Sequence, residues 1–368
     1  MPGVRAEAQK ALNAALASWS QKGLFTHAFV AAGDLAAPKP LITESFLPDG
    51  RDLFDLASMT KALVTTPAVF NLSMDGKWLM ERPLGEAPLI VSVPQRFAHI
   101  PRELFSLTPR MLLRHEAGLP AWRNFYVECH HNNAPAARRG FFEVLAAAAQ
   151  QPKLAKPAYS DVGFLALGAF LEASYQSDIA SIFNGLRSDA KWFSTAFSQP
   201  SIGPGFAPDF DSTERDRRAI STGPCPVRQR NLIGEVYDEN AWALGGRCAH
   251  AGLFSSGAEL IAFLTGLAQS PRGQALLAAQ AAEIAGNENE SLLGWRQGGD
   301  PVARAFGGGK SMGHLGFTGT AFWITPADHP EKPLRYGIIL TNRTISGRIN
   351  PAIKDFRRQM LELLWSAV

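Results

Sequence analysis

The sequence predicts an α/β fold in which a sheet lobe is assembled from both ends of the chain and a mainly helical lobe is inserted between them. Three observations carry this expectation. Strand-type runs occur at 26–32 and 41–46 near the start, and again at 320–324 and 334–341 near the end. Amphipathic helical patterns at 7–19 and 353–365 bracket those strands. From about 78 to 240 the chain instead reads as helical patches separated by Pro- and Gly-rich loops, such as Leu107-Thr108-Pro109 and Gly203-Pro204-Gly205. The expected organisation is a sheet lobe of residues 1–77 and 241–368, a helical lobe of 78–240, and a single functional cleft between them.

Taken in order, the first helix is followed by two strands joined through the turn-rich segment 33–40. Residues 52–57 alternate polar and apolar side chains and read as a strand end running into Ser58-Met59-Thr60-Lys61. Apolar residues at 62–64 and 68–72 continue a helix, Pro67 is expected to kink it, and Asp75-Gly76 stops it. Gly252-Leu253-Phe254-Ser255-Ser256 reads as a short strand entering a helix, with Ser256 and Glu259 spaced as a capping box.

Composition narrows the function. With 36 Lys and Arg against 33 Asp and Glu in 368 residues, the net charge is +3 and no basic run is present. That balance excludes a nucleic-acid partner and leaves a small-molecule or peptide substrate, with the oligomeric state unknown. Cys129, Cys225 and Cys248 are widely spaced and an odd number, which fits free thiols in a reducing compartment. The first 22 residues lack the uninterrupted apolar core of a signal peptide, and no uncharged stretch is long enough to span a membrane. The expected location is cytoplasmic, or periplasmic or secreted if a leader was removed.

Ser58 and Lys61 form the chemically informative pair. Positions i and i+3 of a helix share a face, so the Lys61 amine lies within reach of the Ser58 hydroxyl. Serine needs a base at neutral pH, and a partly desolvated amine with a lowered pKa supplies one. The alternative is an N-cap serine followed by an exposed lysine. Tyr159-Ser160-Asp161 precedes the apolar helix 162–171, where Ser160 or Asp161 caps the helix and Tyr159 either packs beside it or relays protons to a leaving group. In Gly313-His314-Leu315-Gly316-Phe317-Thr318-Gly319-Thr320, glycines beside a strand permit close approach, and amides on an edge strand can form half of an oxyanion hole. His314 is either structural or lines that site.

Other patterns fall short. Gly307-Gly308-Gly309-Lys310-Ser311 lacks the first glycine of a P-loop, and His115-Glu116 lacks the second histidine of a zinc helix, position 119 being Leu119. His115 is expected in the last turn of a helix ended by Gly118, facing the helix dipole. Cys129-His130-His131 are adjacent, so their side chains diverge and no metal site is expected. His250 is expected to order the glycine loop around it.

In combination, Ser58-Met59-Thr60-Lys61, Tyr159-Ser160-Asp161 and His314-Leu315-Gly316 resemble the three motifs of the class C β-lactamase-like serine hydrolases, a family of penicillin-recognising enzymes, esterases and D-aminopeptidases. Residues 112–120, ending in Gly118-Leu119-Pro120, and the segments 234–241 and 250–255 resemble further stretches of the family, so the likeness spans about 25–365. The resemblance implies an antiparallel sheet flanked by helices, as in β-lactamases and transpeptidases, and an acyl-enzyme mechanism without metal or cofactor. Ser58 would be the nucleophile, Lys61 and Tyr159 would share the proton transfers, and the Ser58 and Phe317 amides would hold the oxyanion. Asp161, His314, Gly316 and Phe317 would line the substrate.

Three departures from the family pattern bear on substrate. Asp161 stands where Asn is usual and favours a cationic Lys61, His314 stands where β-lactamases carry Lys, and Leu315 replaces a hydroxyl residue. A mostly neutral histidine beside leucine offers a penicillin carboxylate little, so weak β-lactamase activity at most is expected. Peptidase or amidase action on D-amino-acid-containing substrates and carboxylesterase action both remain open, as does a ligand-binding module that does not turn over.

Overall fold

The strands alternate their side chains between two cores, and this period-two pattern is what builds the molecule. The computed structural model describes residues 2–37, 39–129, 134–151, 154, 156–193, 204–285, 291–297, 304–307, 310–325 and 334–368. Its strands are β1 (Ala28–Asp34), β2 (Ile42–Phe46), β3 (Phe54–Asp55), β4 (Gly205–Phe206), β5 (Ser221–Cys225), β6 (Arg230–Ile233), β7 (Leu253–Ser255), β8 (Arg296–Gln297), β9 (Met312–Leu315), β10 (Ala321–Thr325) and β11 (Arg335–Thr341). Six of them form an antiparallel sheet in the order β2-β1-β11-β10-β9-β8. The first and last strand-forming segments therefore meet at its centre, where Ala28 lies opposite Thr341 and Asp34 opposite Arg335.

On one face, Val30, Trp323 and Ile339 pack against Leu12 and Leu16 of the helix Pro2–Gln21 and Phe356, Met360 and Leu364 of the helix Ala352–Ser366. The adjacent residues Ala31, Phe322, Ile338 and Leu340 point the other way, into a larger core shared with Leu63, Val69, Phe164, Phe170 and Leu264. Mixed α/β architecture with an antiparallel sheet flanked by helices is thus present as the sequence implied.

Two small sheets, β3-β7-β4 and the hairpin β5-β6, complete the strand inventory of the described residues. Strand β3 delivers the chain to Ser58, and β7 hands it to the helix Gly257–Ala268, whose capping box of Ser256 and Glu259 is formed on both sides.

The expected kink at Pro67 takes a particular form. Residues Lys61–Thr65 make a π-helical turn before the α-helix Thr66–Met74, in which Pro67 occupies the first turn. Proline has no N–H to give the preceding turn, and the Thr66 N–H instead reaches back to the Lys61 carbonyl, which also accepts the Thr66 hydroxyl at 3.0 Å. A second difference concerns β9, which the sequence placed at an open edge. Met312 and Gly313 are paired to β8, so the backbone lies beyond that partner only at His314 and Leu315.

The turn after β9 is pressed onto the nucleophile segment. A Cβ on Gly316 would lie 2.0 Å from the Thr320 Oγ1 and 2.5 Å from the Leu56 carbonyl oxygen, closer than a Cβ atom approaches a non-bonded neighbour. Thr318 donates to the Asp55 carbonyl at 2.6 Å and Thr320 to the Leu56 carbonyl at 3.1 Å, fixing the same contact with hydrogen bonds. Replacing Gly316 by Ala should destabilise the fold by about 1–3 kcal/mol through overpacking. Chemical denaturation checks this, and an unchanged midpoint would show that the turn does not bear on Leu56.

Candidate active site

Ser58 follows a backbone twist that few residues adopt. Ala57 has φ of 49°, in the left-handed region, and its N–H donates to the Asp55 carboxylate at 2.8 Å. Asp55 also accepts the Tyr237 N–H at 2.7 Å, and burial still pushes its pKa up to about 6. This carboxylate therefore ties the turn before Ser58 to the chain around Tyr237.

Lys61 is buried, and its ammonium reaches three separate segments. It donates to the Ser58 Oγ at 3.0 Å and to the His250 carbonyl at 3.1 Å, and it pairs with Asp161 at 2.7 Å. The i, i+3 geometry read from the sequence is realised. Burial alone would lower the amine's pKa, yet the Asp161 carboxylate and Tyr159 outweigh burial and raise it. Lys61 is thus a cation at rest, as Asp161 implied, rather than the amine of lowered pKa that the Ser58 and Lys61 pair alone suggested.

Tyr159 lies beside Ser58 with the Lys61 Nζ 5.0 Å from its ring centre, and burial raises its pKa, so it is a neutral phenol. Ser160 provides the cap of the helix Asp161–Tyr175, its Oγ accepting the Gly163 N–H at 3.0 Å while donating to the Pro120 carbonyl at 2.6 Å. Capping by Ser160 leaves the Asp161 carboxylate at the helix start for Lys61. His115 is not in a helical turn as expected. The helix Pro109–Leu113 ends before it, and His115 adopts φ of 59° with its Nδ1 accepting the Ser160 N–H at 3.0 Å. Its ring lies 4.3 Å from that of Tyr159, and burial, with help from the charges of Lys61 and Arg296, pushes its pKa down to about 3. A neutral imidazole is required there, because only its lone pair can accept the Ser160 N–H.

His250 orders more than a glycine loop. Its carbonyl holds Lys61, and its Nε2 lies 2.9 Å from Asp238. Burial would raise the Asp238 pKa, but His250 and the Ala241 N–H outweigh that and bring it to about 2. The first role is not visible in sequence, because it uses a main-chain oxygen 189 residues from Lys61, and the second joins side chains 12 residues apart that no local periodicity pairs.

The cleft at Ser58 has two arms. One, of about 270 Å³, is bordered by Asp161, Asp238, Glu239 with its ion-pair partner Arg348, and the rings of Trp122 and Tyr237. The other, of about 240 Å³, is bordered by His314, Gly316, Arg296, Arg343 and Arg357. Ser58, Tyr159 and Phe317 border both. Among the described residues, neither the Ser58 nor the Phe317 N–H is committed to another partner, so two donors remain available beside the nucleophile. His314 is buried, and its Nδ1 must carry the proton because it bonds the Leu315 carbonyl at 2.7 Å. Burial and the nearby Lys61 and Arg296 charges hold its pKa well below the usual imidazole range. Its other nitrogen therefore presents a lone pair, which is unsuited to a carboxylate.

All seven residues singled out from the sequence, Ser58, Lys61, Tyr159, Asp161, His314, Gly316 and Phe317, thus lie at or directly beside this cleft. Asp55, the Asp238 and His250 pair, Arg343 and Arg357 join them without having been foreseen there. The three cysteines are buried and free, while His130, His131, Gly308 and Gly309 lie outside the described residues. No helix among the described residues is long and apolar enough to cross a membrane.

Comparison with known proteins bears on the family and the fold. The family model described as Beta-lactamase matches residues 28–360. An N-acetylmuramyl-L-alanine amidase of Bacillus subtilis is 28% identical over 328 residues, covering 82% of this chain and 70% of that protein. A Salmonella agona protein assigned as a D-alanyl-D-alanine carboxypeptidase is 25% identical over 344 residues, covering 85% and 74%. Among solved structures, EstCE1, described as a hydrolase with promiscuous acyltransferase activity, superposes with a TM-score of 0.61 at 15% identity and covers 99% of both chains.

Proposed function

The chain belongs to the beta-lactamase family of serine hydrolases, and on that premise we propose that Ser58 forms an acyl-enzyme on an ester or amide substrate. The observation that carries the proposal is the Lys61 ammonium held 3.0 Å from the Ser58 Oγ, beside two uncommitted backbone N–H groups. Once Lys61 has lost a proton, its amine takes the Ser58 proton as Oγ bonds to the substrate carbonyl carbon. The Ser58 and Phe317 N–H groups receive the negative charge that develops on the carbonyl oxygen. Tyr159, a neutral phenol beside Ser58 and Lys61, gives its proton to the departing oxygen or nitrogen and recovers one from Lys61. Water then attacks the acyl carbon by the reverse transfers, releasing the acid and free Ser58.

The names of the amidase and carboxypeptidase relatives support an amide substrate of peptide type, including those with D-amino acids. The hydrolase neighbour supports a carboxylic ester, and both belong in the first screen. Penicillins are poor candidates, because His314 offers a lone pair where a substrate carboxylate needs a donor.

A panel of activated esters and D-amino-acid amides should be turned over by the purified chain, with kcat/KM lowered more than about 10³-fold by Ser58→Ala. Turnover that survives this substitution would reject the nucleophile. Ligand binding without any turnover by the native chain would favour a non-catalytic ligand-binding module instead.

The pH dependence follows from the Lys61 and Asp161 pair. Because Asp161 raises the amine's pKa, activity should climb with pH as Lys61 is deprotonated. Asp161→Asn removes the anion, lowers that pKa, and should move the rising limb of kcat to lower pH. A limb that stays in place would show that Asp161 does not hold the Lys61 proton.

A further inference from the structure

The Phe317 N–H belongs to the peptide unit whose carbonyl is that of Gly316. In a trans peptide these two groups point in opposite directions, so whatever anchors the Gly316 oxygen also aims the Phe317 N–H. Two donors anchor it: the Gly319 N–H at 3.1 Å, which closes the turn, and the charged Arg357 on the C-terminal helix Ala352–Ser366. The Arg357 Nη2 donates to the Gly316 oxygen at 2.7 Å and to the Thr320 oxygen at 2.8 Å. The following carbonyl, that of Phe317, is held by the Arg343 Nε at 2.8 Å. Both peptide units flanking the Phe317 Cα are therefore fixed by guanidinium groups.

We propose that Arg357 is a positioning residue for catalysis, orienting and polarising the Phe317 N–H as an oxyanion donor through its bond to the Gly316 carbonyl. This rests on the acyl-enzyme reading given above. Three observations support it. Arg357 is buried, and placing a guanidinium out of water is costly unless its hydrogen bonds are specific and well made. Gly316 sits against Leu56 so tightly that no Cβ fits, which leaves its peptide no alternative place to settle. A charge-assisted bond to an amide oxygen draws electron density from the nitrogen, so the N–H on the far side becomes a stronger donor. The helix that covers the sheet is thereby linked to the carbonyl-binding end of the cleft.

Removing a direct oxyanion donor costs about 10²–10³ in kcat, and a residue acting through that donor should cost less, about tenfold to a hundredfold. Arg357→Gln should accordingly lower kcat by that factor with KM little changed. It should also raise the infrared C=O stretching frequency of a slowly hydrolysing acyl-enzyme, because a weaker hole polarises the acyl carbonyl less. Arg357→Lys, which keeps the charge and one donor, should fall between Gln and the native chain. Leu364→Ala, a core change two helical turns beyond Arg357 on the same helix, should lower stability and leave both readouts at native values. A folded Arg357→Gln with native kcat and native C=O frequency would overturn the inference while leaving the acyl-enzyme reading intact. If Arg357→Gln does not fold, the Lys variant decides, and a native frequency there overturns the inference. Absence of any acyl-enzyme in the native chain overturns this inference together with the reading it rests on.

Discussion

A buried ammonium ion organises this molecule. Lys61 has been taken out of water, which is tolerable only where acceptors replace its hydration shell. Those acceptors come from three distant places: the Ser58 hydroxyl at the start of its own helix, the His250 carbonyl ahead of β7, and the Asp161 carboxylate at the head of another helix. Removing any one partner would leave a charge or a polar group short of its complement. The segments carrying them are consequently held in one arrangement, and the reactive hydroxyl is held with them.

A second layer of contacts converts that arrangement into a site. Asp55 and the left-handed Ala57 set the turn that presents Ser58, while Thr318 and Thr320 pin the turn after β9 to the same stretch of backbone. On the opposite side, neutral His115 supports both the Ser160 N–H and the Tyr159 ring. The cleft that results is asymmetric, with ion-paired carboxylates and aromatic rings on one arm and the guanidinium groups of Arg296, Arg343 and Arg357 on the other.

The sequence made much of this legible, and the reasons differ from one element to the next. Neighbours such as Val30 and Ala31, or Ile338 and Ile339, divide between the two cores, so these strands read as short continuous apolar runs rather than by alternation. Ser256 and Glu259 form the capping box their spacing implies. Ser58 and Lys61 were readable because one helical turn brings them together. The cationic Lys61 was anticipated from Asp161, but its complete burial and its bond to the His250 carbonyl were not, since both are set by tertiary contact. His115 was misjudged because the helix ends at Leu113, before Gly118, and nothing local announces its bond to Ser160. Strand β8 was missed because two residues carry no periodicity, and Arg357 because its partners are main-chain oxygens 37 and 41 residues away.

The account stands on covalent chemistry at one hydroxyl, and trypsin offers a direct way to see it. Cleavage after Arg51 and Lys61 yields the peptide 52–61, in which Ser58 is the sole serine. After exposure to a serine-directed fluorophosphonate, mass spectrometry should find the added mass on that peptide and nowhere else, and Ser58→Ala should take up none. An adduct on another peptide, or an unmodified chain under conditions that label a known serine hydrolase, would contradict the account.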